Sequence, residues 1–113
     1  MPFLTIYTNA ENSDNAKLAE EASVLVANVL HKPINYVVTN VIYNSSMAFG
    51  GSANQKGALV ELLSIGFNNK DKLVEDLTDF LIEKLNIAKA ENINISLNDA
   101  SASLVASAGR TFG

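Results

Sequence analysis

The sequence has no cysteine, no tryptophan and a single histidine, and these absences exclude several kinds of site. Without cysteine, the chain forms no disulfide and has neither a thiol nucleophile nor a thiolate metal ligand. His31 alone argues against a zinc or iron centre, because such centres usually collect two or more imidazoles or thiolates. We therefore predict a protein with no metal site.

Positive charge is also scarce. The chain has 8 Lys and Arg against 12 Asp and Glu, and Arg110 is its only arginine. Phosphate contacts need clustered basic side chains, so we expect no nucleic-acid partner. No apolar run approaches the roughly 20 residues that cross a bilayer, and no signal peptide is visible. These features predict a cytoplasmic protein with no membrane partner, and they leave open secretion without a signal peptide.

The remaining composition is that of an ordinary globular chain. Its 113 residues are 48% hydrophobic and 18% charged, which is unlike a disordered sequence. A chain of this length supports one core and leaves little room for a second. We predict a single domain over residues 1–113.

The first half of the chain has the pattern of a β-α-β unit. Phe3–Thr8 is rich in β-branched and aromatic residues and predicts a strand. Asn12 or Ser13 could cap a helix whose apolar residues recur at helical spacing and which Pro33 stops. Tyr36–Tyr43 then predicts a second strand of nearly continuous apolar character.

The pattern repeats in the second half. Ala58–Ile65 predicts a strand, Asn68 or Asn69 could cap a helix that runs to Leu85, and Ile93–Leu97 alternates as a strand should. Two successive β-α-β units imply an α/β fold with pseudo-twofold symmetry, in which two helices cover one face of a four-stranded mixed sheet. The strands are too apolar for a sheet with one covered face, so we expect oligomerisation to bury the other.

Pro2 is the clearest candidate for chemistry. Removal of Met1 would expose a secondary amine, and a free α-amine titrates near pH 8. Burial and a nearby Lys would both lower its pKa, because both disfavour the protonated form, and the amine could then act as a general base. The alternative is an ordinary Met-Pro start. The strand directly behind Pro2 favours the catalytic interpretation, because it would hold the terminus in a sheet.

Six segments, in this order and at close to this spacing, resemble the macrophage migration inhibitory factor family, within the tautomerase superfamily. They are Met1-Pro2-Phe3, Tyr7-Thr8-Asn9, His31-Lys32-Pro33, Met47 to Ser52, Ser64-Ile65-Gly66 and Thr111-Phe112-Gly113. The resemblance implies a homotrimer whose sheets surround a central channel. It also implies cofactor-independent keto-enol tautomerisation of phenylpyruvate- or dopachrome-type substrates at sites between subunits.

The resemblance also implies roles for individual residues. Pro2 would be the catalytic base, and Lys32 would hold the substrate's carboxylate or carbonyl oxygen and help keep Pro2 neutral. Ser64 and Ile65 match a segment whose backbone binds substrate. A plain helix-end cation is the alternative for Lys32.

Other positions would line the substrate pocket. Tyr36, Val105 and Phe112 match its apolar walls, with ordinary core packing as the alternative for each. Asn94 and Ser96 stand where many members have a Tyr and an Asn that reach the substrate from the adjacent subunit. These shorter side chains leave open a second hypothesis, a cytokine-like protein that binds a receptor and has a vestigial pocket. A structural scaffold with neither role is a third.

Overall fold

Four long strands and two helices alternate along the chain as two β-α-β units. The computed structural model describes residues 1–113. The strands are β1 (Phe3–Thr8), β2 (Val38–Tyr43), β3 (Ala58–Ser64) and β4 (Ile93–Asp99), and the helices are α1 (Asn15–Leu30) and α2 (Lys70–Leu85). A short hairpin follows, made of β5 (Ala106–Ser107) and β6 (Arg110–Thr111). None of the helices is long and apolar enough to cross a membrane.

The four long strands form one mixed sheet in the order β2-β1-β3-β4. β1 pairs in parallel with β2, and β3 pairs in parallel with β4. The central pair, β1 with β3, is antiparallel, and Phe3 lies opposite Leu63. Each β-α-β unit thus supplies one parallel pair, and the two units meet as a pseudo-twofold. The predicted architecture is confirmed.

Both helices cover the same face of this sheet. Burial alternates along β1 and β3, as a strand with one packed face requires. In α2 the buried residues recur every four positions, which places them on a single stripe. Strands and helices together form one core cluster, whose largest members are Leu4, Ile6, Leu18, Val26, Leu30, Val60, Leu62, Leu73, Leu77, Leu81, Leu85, Ile87 and Ile93.

The other face of the sheet is uncovered in the single chain, and we call it the open face. It carries the side chains at alternate strand positions: Phe3, Thr5, Tyr7, Val38, Asn40, Ile42, Leu59, Glu61, Leu63, Asn94, Ser96 and Asn98. Val38 is 57% exposed and Leu59 is 44% exposed. The single chain therefore leaves this face unburied, and half of its twelve side chains are apolar.

The N-terminus of α1 is not capped by Asn12 or Ser13, so that prediction is wrong. Asp14 is the cap, and its Oδ1 accepts a hydrogen bond from the Lys17 backbone N–H at 3.0 Å. The Asn12 side chain instead donates to Asn15 Oδ1 at 3.1 Å. The Asn12 side chain therefore bonds to another side chain and not to the backbone N–H groups at the start of α1.

Asn69 holds the N-cap position of α2, as predicted, but its side chain does not cap that helix. Asn69 has a left-handed backbone (φ 53°) and its side chain makes no capping bond to α2. The amides of Asn68 and Asn69 instead donate to the carbonyls of Leu30 and Val29, each at 3.1 Å. Those carbonyls end α1 and have no partner within the helix. One helix is therefore capped by the residues that precede the other.

The strand ends differ slightly from the prediction. Ile34–Tyr36 forms a 3-10 turn, so β2 begins at Val38 and not at Tyr36. Ile65 lies just beyond β3, and β4 continues to Asp99. These differences of one or two residues matter, because they put Tyr36 and Ile65 in the segments that flank the strand ends.

The end of the chain forms a hairpin. Ala108 and Gly109 connect β5 to β6, and both have positive φ, at 53° and 81°. Two such residues in a row are typical of the type I′ turn that suits a two-residue hairpin.

Asn9 fastens the long connection between β2 and β3 to the end of β1. It is fully buried, and its side chain donates to the carbonyls of Gln55 (2.8 Å) and Met47 (3.3 Å) and accepts from the Gly57 N–H (3.0 Å). Gly57 has no space for a side chain, since a Cβ would lie 2.3 Å from the Asn92 carbonyl oxygen. The connection is therefore held by these hydrogen bonds as well as by the buried Phe49.

We expect Asn9→Ala to lower the free energy of unfolding by about 2–4 kcal/mol, because it leaves buried backbone groups without partners. Urea denaturation measures the change. Asn28→Ala, on the exposed side of α1, is the matched control and should change it by less than about 0.5 kcal/mol. Equal effects of the two substitutions would contradict the role given to Asn9.

Candidate active site at the start of the first strand

Pro2 directly precedes β1 and is anchored at that end of the sheet. It is less than 2% exposed, and its carbonyl accepts a hydrogen bond from the Val38 N–H at 3.0 Å. The N-terminus is thus held by the sheet ladder and does not fray.

Lys32 reaches the same region from the end of α1. His31 closes that helix in a left-handed conformation (φ 55°), after which the chain turns away from the helix axis. The Lys32 Nζ donates to the Ile65 carbonyl at 3.0 Å. Its partner is therefore the segment after β3 and not the carbonyls that end α1, where the helix-end alternative would have put it.

The positive charge of Lys32 lowers the pKa of the terminal amine. The pKa of the Met1 amine lies below its ordinary value of 8.0, first because burial penalises the charged form and second because the Lys32 cation repels it. An amine at this position is therefore biased toward the neutral, proton-accepting form.

Ser64 is the last residue of β3, and Ile65 and Gly66 form the turn that follows it. The Ser64 carbonyl accepts from the Ala100 N–H at 2.8 Å, and the Asp99 carboxylate accepts from the Gly66 N–H at 3.0 Å. Sequence reasoning missed Asp99 as a support of this turn. The available signal was an Asp at the end of an alternating strand, with a Gly after the neighbouring strand.

Tyr36 and Phe112 form an aromatic pair, and Tyr36 lies two residues before Val38, whose N–H bonds to the Pro2 carbonyl. Their ring centroids lie 5.9 Å apart with the planes at 85°, an edge-to-face contact. Both rings are 40% exposed, whereas Val105 is only 5% exposed. Tyr36 and Phe112 are exposed enough to form a pocket wall. The burial of Val105 agrees with either a pocket wall or ordinary core packing.

Asn94 and Ser96 do not meet the other predicted residues within one chain. Asn94 lies opposite Leu59 and Ser96 opposite Glu61, whereas the end of β3 near Pro2 pairs with Asp99. Ser96 and Asn94 are therefore about 10 Å and about 16 Å along β4 from Asp99. Both are exposed.

No cavity of the single chain encloses Pro2. The larger concavity, of about 470 Å³, lies on the open face and is lined by Thr5, Glu61 and Ser96 among others. Nor do three His, Cys, Asp or Glu side chains come close enough together to hold a metal ion. The terminus itself offers an amine of lowered pKa, an ammonium group with unused donors and a partly exposed aromatic pair.

Comparison with known proteins identifies one family that matches the whole chain. The sequence model of the macrophage migration inhibitory factor family matches residues 1–113. The chain belongs to that family. A macrophage migration inhibitory factor homologue of Brugia malayi is 38% identical over 119 residues, covering 100% of both chains.

Solved structures of the family share the fold. The macrophage migration inhibitory factor of Trichinella spiralis is 30% identical with a TM-score of 0.87, covering 97% of this chain and 99% of that one. A homologue from Prochlorococcus marinus is 28% identical with a TM-score of 0.88, covering 98% and 99%. The family membership that the sequence segments indicated is confirmed.

We expect Lys32→Met to raise the pKa of the Met1 amine in chains that keep Met1, because it removes the repelling cation. The pKa should stay below 8.0, because burial is the larger cause. An NMR titration of Met1, in protein expressed with methionyl aminopeptidase inhibited, measures both values. Lys17→Met, exposed on α1, should leave the pKa unchanged, and a wild-type amine that titrates at 8.0 or above would contradict the description.

Proposed function

We propose that this protein is a cofactor-independent keto-enol tautomerase that uses the nitrogen of Pro2 as its general base after removal of Met1. Its substrates are carbonyl compounds of the phenylpyruvate or dopachrome type. The proposal rests above all on one observation: Pro2 is buried at a terminus where burial and Lys32 together lower the pKa of the Met1 amine. A base of this kind works best when its pKa is close to the working pH.

The reaction asks for the movement of one proton. The neutral Pro2 nitrogen takes a proton from the carbon next to the substrate carbonyl, and the electrons of that C–H bond form the C=C bond of the enol. The π electrons of the carbonyl move to its oxygen, which takes a proton from water, and the protonated Pro2 then returns its proton to water. No electron leaves the substrate, so this chemistry calls for no redox partner.

Lys32 has two tasks in this scheme. Its ammonium group uses one N–H on the Ile65 carbonyl, and the others are available to a substrate carboxylate or to the developing oxyanion. A charge-assisted hydrogen bond of this kind contributes about 1.5–3 kcal/mol. The same charge disfavours protonation of Pro2 and so keeps the base ready.

We further propose that the protein is a homotrimer and that each site is completed by a neighbouring subunit. Two observations support this assembly: the open face leaves apolar side chains such as Val38 and Leu59 uncovered, and one chain leaves Pro2 without an enclosing pocket. Asn94 and Ser96, too distant to act on the Pro2 of their own chain, would then line the pocket of the neighbour. Obligate subunit contacts typically bury apolar surface of this sort.

Pro2→Gly should lower kcat/KM for phenylpyruvate tautomerisation by about 10²–10³-fold, because it replaces the held secondary amine with a primary amine on a flexible residue. Enolisation followed by ultraviolet absorbance measures the rate. Intact mass must show loss of Met1 from both proteins, and circular dichroism must show that the fold is unchanged. Wild-type activity in the variant would refute Pro2 as the base.

Lys32→Met should lower kcat/KM by about 10- to 100-fold, the equivalent of one lost charge-assisted hydrogen bond. Because only neutral Pro2 accepts a proton, kcat/KM rises with pH through the pKa of Pro2. Without the Lys32 cation, this rise should move to higher pH. Lys17→Met is the control. If the pH profile of Lys32→Met does not move, Lys32 does not affect the pKa of Pro2.

Val38→Glu should weaken the assembly, because it puts a charge on the apolar part of the open face. Val24→Glu is a matched control, since Val24 lies on α1 and is similarly exposed, 52% against 57%. Light scattering after size exclusion should give three times the 12.1 kDa chain mass for wild type and for the Val24 variant. A wild-type protein that runs as a monomer would contradict the trimer.

A further inference from the structure

Ser64 carries the one buried side-chain polar atom without a hydrogen-bond partner. Its residue is completely buried, and its hydroxyl oxygen contacts no donor or acceptor. Buried hydroxyl groups are nearly always paired, because an unpaired one loses its hydrogen bonds to water without replacement. An alanine here would avoid that loss, so the hydroxyl needs an explanation beyond stability.

The sheet register puts Ser64 beside Pro2. Phe3, the first residue of β1, lies opposite Leu63 in the antiparallel β1–β3 pair. The same register puts Pro2, which precedes β1, opposite Ser64. Residues opposite one another point to the same face, with Cβ atoms about 5 Å apart. Here that is the helix-covered face, because Pro2 and Ser64 are both buried, like their alternate neighbours Leu4 and Leu62.

The chemistry of Pro2 explains why the hydroxyl lacks a partner in the chain that keeps Met1. There the Pro2 nitrogen belongs to a tertiary amide, which has no hydrogen to donate and no available lone pair. Removal of Met1 turns it into a secondary amine with one N–H and one lone pair. We propose that the Ser64 hydroxyl oxygen then accepts a hydrogen bond from the Pro2 N–H and acts as a positioning residue for the base.

This role deepens the proposed function and rests on it where activity is concerned. With its N–H held by Ser64, the neutral amine keeps its lone pair directed away from the core and toward a substrate. The protonated amine has a second N–H, and its bond to Ser64 is stronger because it is charge-assisted. Ser64 therefore raises the pKa of Pro2 slightly, against the effect of burial and Lys32.

The other ionisable groups near this end of the sheet are few. Lys32 approaches from the end of α1, Asp99 lies at the end of β4 with its carboxylate on the Gly66 N–H, and Tyr36 lies on the turn before β2. All of them are present in both the wild-type protein and the Ser64 variants. A change of the Pro2 pKa on substitution of Ser64 therefore reports on the hydroxyl itself.

The test is an NMR titration of the Pro2 Cδ resonance in Met1-free protein, which needs no substrate. Ser64→Ala should lower the pKa of Pro2 by about half a unit to one unit, the difference between a hydrogen bond to a cation and one to a neutral amine. Ser64→Cys, which replaces the hydroxyl with a slightly larger thiol that accepts hydrogen bonds weakly, should behave like Ser64→Ala. An unchanged pKa in either variant would overturn the proposal.

Kinetics and stability separate the possible failures. In both variants kcat should fall while KM stays unchanged, and the acid limb of kcat/KM should move to lower pH. In chains that keep Met1, Ser64→Ala should not lower the thermal midpoint, because no hydrogen bond is lost. A lowered midpoint would mean that the hydroxyl has a structural partner, and would overturn the proposal.

Thr8→Val is the matched control at the other end of β1. The Thr8 hydroxyl is also fully buried but donates to the Gly57 carbonyl at 2.7 Å. This variant should lower the thermal midpoint and leave the pKa of Pro2 unchanged. If wild-type protein shows no tautomerisation, the proposed function fails, whereas the titration still decides whether Ser64 contacts Pro2.

Discussion

The antiparallel pairing of β1 with β3 is the constraint on which the rest of this structure depends. It joins two β-α-β units, each of which could pair only its own two strands in parallel. Because the pair is antiparallel, the beginning of β1 meets the end of β3. The N-terminal nitrogen and the turn at Ser64 and Ile65 therefore lie together, although they are more than 60 positions apart in the sequence.

Lys32 lies near the N-terminus and Ile65 because α1 ends above the same end of the sheet. Its side chain could have remained with the carbonyls at the end of α1, which attract cations. Asn68 and Asn69 already satisfy two of those carbonyls, and Lys32 bonds to Ile65 instead. Polar satisfaction at a helix end thus leaves a cation free to act on the terminal amine.

Much of the fold could be predicted from the sequence, because long periodic segments report their own packing. The stripe that ends at Leu85 and the alternation in Ile93–Leu97 each depend on one buried face. Element ends were harder, because several short polar residues compete for the same backbone groups. Asp14 was preferred to Asn12 as a cap, and Asn69 turned toward the opposite helix.

The site divides in the same way. Lys32 bonds to the Ile65 carbonyl within one chain, whereas Asn94 and Ser96 lie on a distant part of β4. No sequence periodicity reports the unpaired Ser64 hydroxyl, because an orphaned polar atom is visible only when all its neighbours are known. The support from Asp99 was hidden for a related reason, since its partner is a backbone N–H on another strand's turn.

The asparagine pair before α2 also bears on how the chain acquires its structure. The carbonyls that end the first helix find their donors only in the second half of the chain. A fragment containing the first half alone would expose those groups together with one edge of β1. The two halves resemble each other in topology, yet the first half finds the partners of its helix end only in the second, and we expect the protein to unfold as a single cooperative whole.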